Sequence, residues 1–80
     1  MVREYEFDKK VAEDQAKDII AEGNELKGCV KVEINNDGRD LVVTCETEDD
    51  YGYVMERLVN IVARITGGDT FEFTRFIDND

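Results

Sequence analysis

The sequence predicts an α+β fold in the order β-α-β-β-α-β. The expected form is a two-layer sandwich with a four-stranded, mainly antiparallel sheet and two helices on one face, ferredoxin-like or an open variant with another strand order. Three observations predict it. Residues 2–8 and 69–78 alternate apolar and polar side chains. Two stretches, after Lys9 and after Thr47, repeat apolar residues at three- and four-residue steps. Between them, Asp37-Gly38 joins two alternating runs.

Each element follows in turn. In "VREYEFD", Tyr5 and Phe7 share one face and Glu4 and Glu6 the other, the pattern of a half-buried strand. Asp8 suits the N-cap of a helix whose apolar stripe is Ala12, Ala16, Ile19, Ile20, Gly23 and Leu26. That helix is expected to end between Gly23-Asn24 and Gly28. Residues 29–46 read as a hairpin, because both central positions of a type I′ turn need positive φ and Asp37-Gly38 supplies them. Pairing Asn36 with Arg39 sets Ile34 opposite Leu41, Val32 opposite Val43 and Val30 opposite Cys45. A one-residue slip would set Ile34 against Asp40 and is rejected. Thr47 is the expected cap of a second helix with the stripe Tyr51, Val54, Leu58, Ile61, Val62 and Ile65, stopped by Gly67-Gly68. In the last strand Phe71 and Phe73 face together, and Arg75 then falls out of phase, which implies a bulge or an edge.

Eighty residues make one expected domain, 1–80. The N-terminus lacks the apolar stretch of a signal peptide and no run has membrane-span length, so a cytoplasmic location and no membrane partner are expected. Twenty acids against ten bases leave a net charge of −10, and the bases are scattered among acids. That field disfavours nucleic acid and anionic membranes, and favours cations and basic protein surfaces. The chain has no His, Ser, Pro or Trp, which removes Ser-His-Asp triads, Cys-His pairs and Cys/His zinc sites. No residue looks like a substrate anchor, so an enzyme is not expected.

The predicted register puts Cys45 on the apolar face and Cys29, out of phase with Val30, on the opposite one. A disulfide is therefore not expected, and no CxxC is present.

The acids carry the site prediction. "TCETEDDYGY" puts Glu46, Glu48, Asp49 and Asp50 into five positions. Thr47-x-x-Asp50 resembles a capping box, and acids in a first helical turn are favoured by the helix dipole. Three acids exceed what the dipole needs. With the ends of strands 1 and 3 and the start of strand 4 placed at one end of the molecule, Asp8 and Asp69 would join Glu46, Glu48, Asp49 and Asp50. Such a group would suit a hard divalent cation, calcium. Other acidic stretches carry less. "EINNDGRD" lacks the Glu that an EF-hand needs at its twelfth position, and the neighbouring Asp78 and Asp80 lie at the chain end. Asp14, Asp18, Glu22 and Glu25 form a solvated helix face or a docking strip for a basic partner. "TGGDTF" carries no phosphate-loop motif.

At "ETEDD" and the terminal Asp78-Asn79-Asp80, the chain resembles a small, acidic, uncharacterised α+β protein of methanogenic archaea with a calcium-binding acidic cleft. The likeness covers length, charge, the lack of His and element order. It implies a calcium-binding role and a heat-adapted archaeal source. The alternative is a non-catalytic protein–protein interaction module or complex subunit. Its support is Met55 and Val59 widening the second helix's stripe, Tyr53 beside Arg57, and an outer sheet face bearing Val42, Glu6, Lys31, Glu33 and Glu72.

Overall fold

Period-two alternation builds four strands and the three-to-four-residue repeat builds two helices, in the order read from the sequence. The structure, a computed structural model, describes residues 2–77. Its elements are β1 (Val2–Phe7), α1 (Glu13–Asn24), β2 (Cys29–Asn35), β3 (Asp40–Cys45), α2 (Asp50–Thr66) and β4 (Phe71–Ile77). The sheet runs β2-β3-β1-β4 with every neighbouring pair antiparallel, which is the ferredoxin-like arrangement. The acids predicted at Asp78 and Asp80 lie outside the described residues.

One face of the sheet carries the core. Tyr5 and Phe7 of β1, Val32 of β2, and Leu41 and Val43 of β3 meet Ile19 of α1 and Tyr51, Val54, Leu58 and Val62 of α2. Burying these side chains removes apolar surface from water, the main favourable term in folding. Gly23 lets α1 approach closely: a Cβ there would stand 2.8 Å from Val32 Cγ2 and 3.2 Å from Leu58 Cδ2. Asn24 Oδ1 accepts the Val32 N–H at 2.9 Å, fastening the end of α1 to β2.

The predicted register holds at Ile34–Leu41 and Val32–Val43. It breaks beyond. Cys29, not Val30, is the partner of Cys45, because the ladder shifts between Cys29 and Lys31. Val30 is the extra residue of a β-bulge and is 57% exposed. The hairpin turn also differs. Asn36 and Asp37 have φ of 55° and 59°, and Gly38 has 86°, so Asn36 joins the left-handed turn and the ladder ends at Asn35–Asp40. β4 bulges as expected, with Tyr5 paired to Phe73 and Glu4 to Arg75, and it lies at a sheet edge.

Helix α1 starts later than Asp8 would set it, after Ala12, which makes no side-chain cap bond. Residues 8–12 instead carry the chain from the sheet layer to the helix layer. Val11 plugs the end of the core at 2% exposure, and its N–H donates to Gly38 O at 2.9 Å. Helix α2 ends as predicted, with Gly67 at φ 80° and its N–H donating to Ala63 O.

Candidate functional site

Strand direction decides which residues can share a site. Because β1 and β3 are antiparallel neighbours, their C-terminal ends lie at opposite ends of the sheet. At one end are Asp8, the hairpin turn and the start of β4: Asp8 N–H donates to Thr70 O, and Asp8 Oδ1 accepts the Thr70 N–H at 3.0 Å. Asp69 is there too, its N–H donating to Thr66 Oγ1 at 3.0 Å. At the other end are the starts of β1 and β2, the end of β3 and the N-terminus of α2. Glu46, Glu48, Asp49 and Asp50 stand there. The six acids expected to gather are therefore divided four and two.

The four are also engaged one by one. Glu48 pairs with Arg3 at 3.1 Å. Asp50 accepts from the Thr47 N–H at 3.1 Å and from Thr47 Oγ1 at 3.0 Å, the carboxylate half of the expected capping box. Asp49 is the N-cap of α2, making no side-chain cap bond, and Glu46 is exposed with its N–H donating to Gly28 O. Among the described residues, no three His, Cys, Asp or Glu side chains are grouped to hold a metal ion. Asp37, at the far end, pairs with Lys10 at 2.6 Å, and that hydrogen bond holds its carboxyl below the usual range.

A different pair comes together at the end that holds Glu46 to Asp50. The bulge at Val30 turns Cys29 onto the inner face, directly opposite Cys45. Glu46 N–H donates to Gly28 O at 2.8 Å, so the ladder bond lies outside the pair. This is a non-hydrogen-bonded antiparallel position, where opposing side chains stand closest. Both thiols are free, half-buried and packed against the core. Burial pushes Cys45 up to about 11, with Cys29, Asp50 and Glu48 adding to it and Arg3 opposing. Burial likewise raises Cys29, against a backbone hydrogen bond at Lys31. Tyr51 closes the site from α2: its hydroxyl accepts the Cys45 N–H at 3.3 Å and donates to Val43 O at 3.2 Å.

Sequence reasoning missed this pair. Val30, Val32 and Ile34 alternate without a break, and that alternation favours the unbulged register. No residue in "GCVKV" announces the extra position.

No protein-family model matches the chain, and no curated protein matches it. Solved structures do. The yeast copper transporter domain Ccc2a, determined in solution in its apo and Cu(I)-loaded states, superposes with a TM-score of 0.68 at 17% identity, over 95% of this chain and 97% of that one. A chain solved in work on crosstalk between Cu(I) and Zn(II) homeostasis superposes with a TM-score of 0.62 at 14% identity, over 92% and 98%. At these identities the likeness establishes the fold.

These findings correct the calcium expectation. The resemblance to an archaeal acidic protein with a calcium cleft does not hold: the structures this chain superposes on are a copper transporter domain and a chain from work on Cu(I) and Zn(II) homeostasis. The carboxylates meant to form the cleft lie at two ends of the sheet. Among the described residues no helix is long and apolar enough to cross a membrane.

Proposed function

We propose that this chain is a small, non-catalytic domain that binds one soft monovalent ion, copper(I), between the thiolates of Cys29 and Cys45. The observation that carries the reading is the direct cross-strand pairing of the two cysteines on the inner face. Soft thiolates select copper(I) over hard cations. Ions that require a larger set of such side chains fit less well, because no third His, Cys, Asp or Glu joins the pair among the described residues. Two-coordinate copper(I) needs none. The superposition on a domain described as Cu(I)-loaded agrees with this choice.

Electrostatics act in both directions. Thiolate ligands must lose their protons, and burial opposes that. Asp50 and Glu48 also penalise the Cys45 thiolate, so the charge of the bound ion has to offset both burial and their repulsion. The net charge of −10 draws cations toward the surface.

The test is an anaerobic titration of the reduced chain with copper(I) against a chromogenic copper(I) chelator. One ion per chain is expected, and loss of that capacity in Cys29→Ser and in Cys45→Ser. Equal uptake by the wild type and the doubly substituted chain would overturn the reading.

A second reading, an interaction module for a basic protein surface, is supported by Phe73 and Phe76. They stand 49% and 51% exposed on the edge strand β4, with ring centres 4.9 Å apart. Line broadening at β4 in NMR spectra with a basic protein, and none at the cysteines, would favour it.

A further inference from the structure

The same geometry permits chemistry that needs no metal. Cross-strand residues at a non-hydrogen-bonded position have Cα atoms roughly 4.5 Å apart, inside the roughly 4.4–6.8 Å range that a disulfide spans. Cys29 and Cys45 occupy such a position, with the Glu46 N–H to Gly28 O bond just outside them. Two further features hold the alignment. The bulge at Val30 turns Cys29 inward, as bulges commonly re-aim side chains. Gly28, at φ 88°, lets the chain enter β2 against the start of α2, where a Cβ would lie 2.6 Å from Asp50 Cγ. Both thiols remain partly exposed, so a small oxidant reaches them.

We propose that Cys29 and Cys45 are a redox-active pair that closes reversibly into an intrachain disulfide. The oxidant is a low-molecular-weight disulfide of the glutathione class. One cysteine sulfur attacks it, forming a mixed disulfide and releasing one reduced thiol. The second cysteine then attacks the mixed disulfide, forms the Cys29–Cys45 bond and releases the other. Two thiols of the protein are oxidised, the small disulfide is reduced to two thiols, and the protons balance. The bond would tie β2 to β3 beside the N-terminus of α2. It would also consume both thiolates, so metal binding and the disulfide would exclude each other. That last consequence rests on the copper reading, whereas the disulfide rests on the pairing alone.

The experiment equilibrates the full chain, freed of metal with a chelator, in buffers spanning reduced to oxidised glutathione. Free thiols are then alkylated and the intact mass is read. A single transition is expected, from two alkylated cysteines to none, with loss of two hydrogens at monomer mass. Cys29→Ser and Cys45→Ser should show only a glutathione adduct or a free thiol. A wild type that gives only adducts or linked dimers, or stays reduced in the most oxidising buffer, overturns the proposal. Copper(I) capacity is measured on the same samples. A disulfide that forms in a chain taking no copper when reduced defeats the metal reading alone. Copper uptake without any disulfide defeats this one alone.

Discussion

The guanidinium of Arg3 lies 4.1 Å from the centre of the Tyr51 ring. It also lies 5.5 Å from the Phe76 ring and 3.1 Å from Glu48, and it shares a hydrogen bond with Tyr5. One side chain at the start of β1 thus ties the sheet to the first turn of α2 and to the last residues of β4. The same Tyr51 reaches the backbone of β3 on both sides of Thr44 through its hydroxyl.

Arg3→Ala is expected to lower stability by about 1 kcal/mol, the scale of a partly desolvated cation–π contact. The loss is moderated because the buried Nε of Arg3 makes no hydrogen bond. For a domain of this size that corresponds to a Tm lower by roughly 4–8 °C. Arg3→Lys keeps the charge but not the planar stacking and should recover only part of the loss. Thermal unfolding followed by circular dichroism measures both. An unchanged Tm in Arg3→Ala would show that the stack contributes nothing to folding.

Gly23→Ala should destabilise the protein even though alanine is the better helix former. Its Cβ would lie 2.8 Å from Val32 Cγ2 and 3.2 Å from Leu58 Cδ2. Overpacking of this kind costs about 1–3 kcal/mol, more than the propensity gain of about 1 kcal/mol. Urea unfolding gives the sign directly. A higher midpoint would mean that α1 shifts away from β2 without loss.

Stability should fall on the alkaline side between pH 9 and 11. The Cys45 thiol is held at about 11 in the folded chain, above its ordinary 9.0. Below pH 9 both states keep the proton and the full stability is present. Above it the unfolded chain ionises first and the balance shifts toward unfolding. Burial raises Tyr5 and Tyr51 as well, extending the loss past pH 10. Unfolding midpoints of Cys45→Ala across this window should decline less steeply than those of the wild type. Parallel declines would assign the effect to Cys29 and the tyrosines.

Alternation and helical period were enough to read the fold, because each core face is written in apolar side chains at one period: Tyr5 and Phe7, Leu41 and Val43, then Val54, Leu58 and Val62. The site was less legible for two reasons. Placing Asp8 beside Glu46 treats β1 and β3 as parallel, whereas the helix crossover keeps β2 in the direction of β1 and the hairpin then reverses β3. Pairing Cys29 with Cys45 requires a bulge at Val30, and Val30 is apolar in the phase where a core residue is expected. The helix start was misread at Asp8 because that carboxylate serves β4, accepting the Thr70 N–H, and not α1.

The bulge at Val30 makes register, and not only identity, part of what defines the thiol pair. Removing Val30 would leave a regular ladder with Cys29 still opposite Cys45, whereas keeping Val30 and losing the bulge would return the first thiol to the outer face. The same side chains thus form the site in the bulged register and lose it in the unbulged one. Relatives of this protein are therefore best sorted by the ladder register at this point, and a search for matching cysteines alone would group the armed with the disarmed.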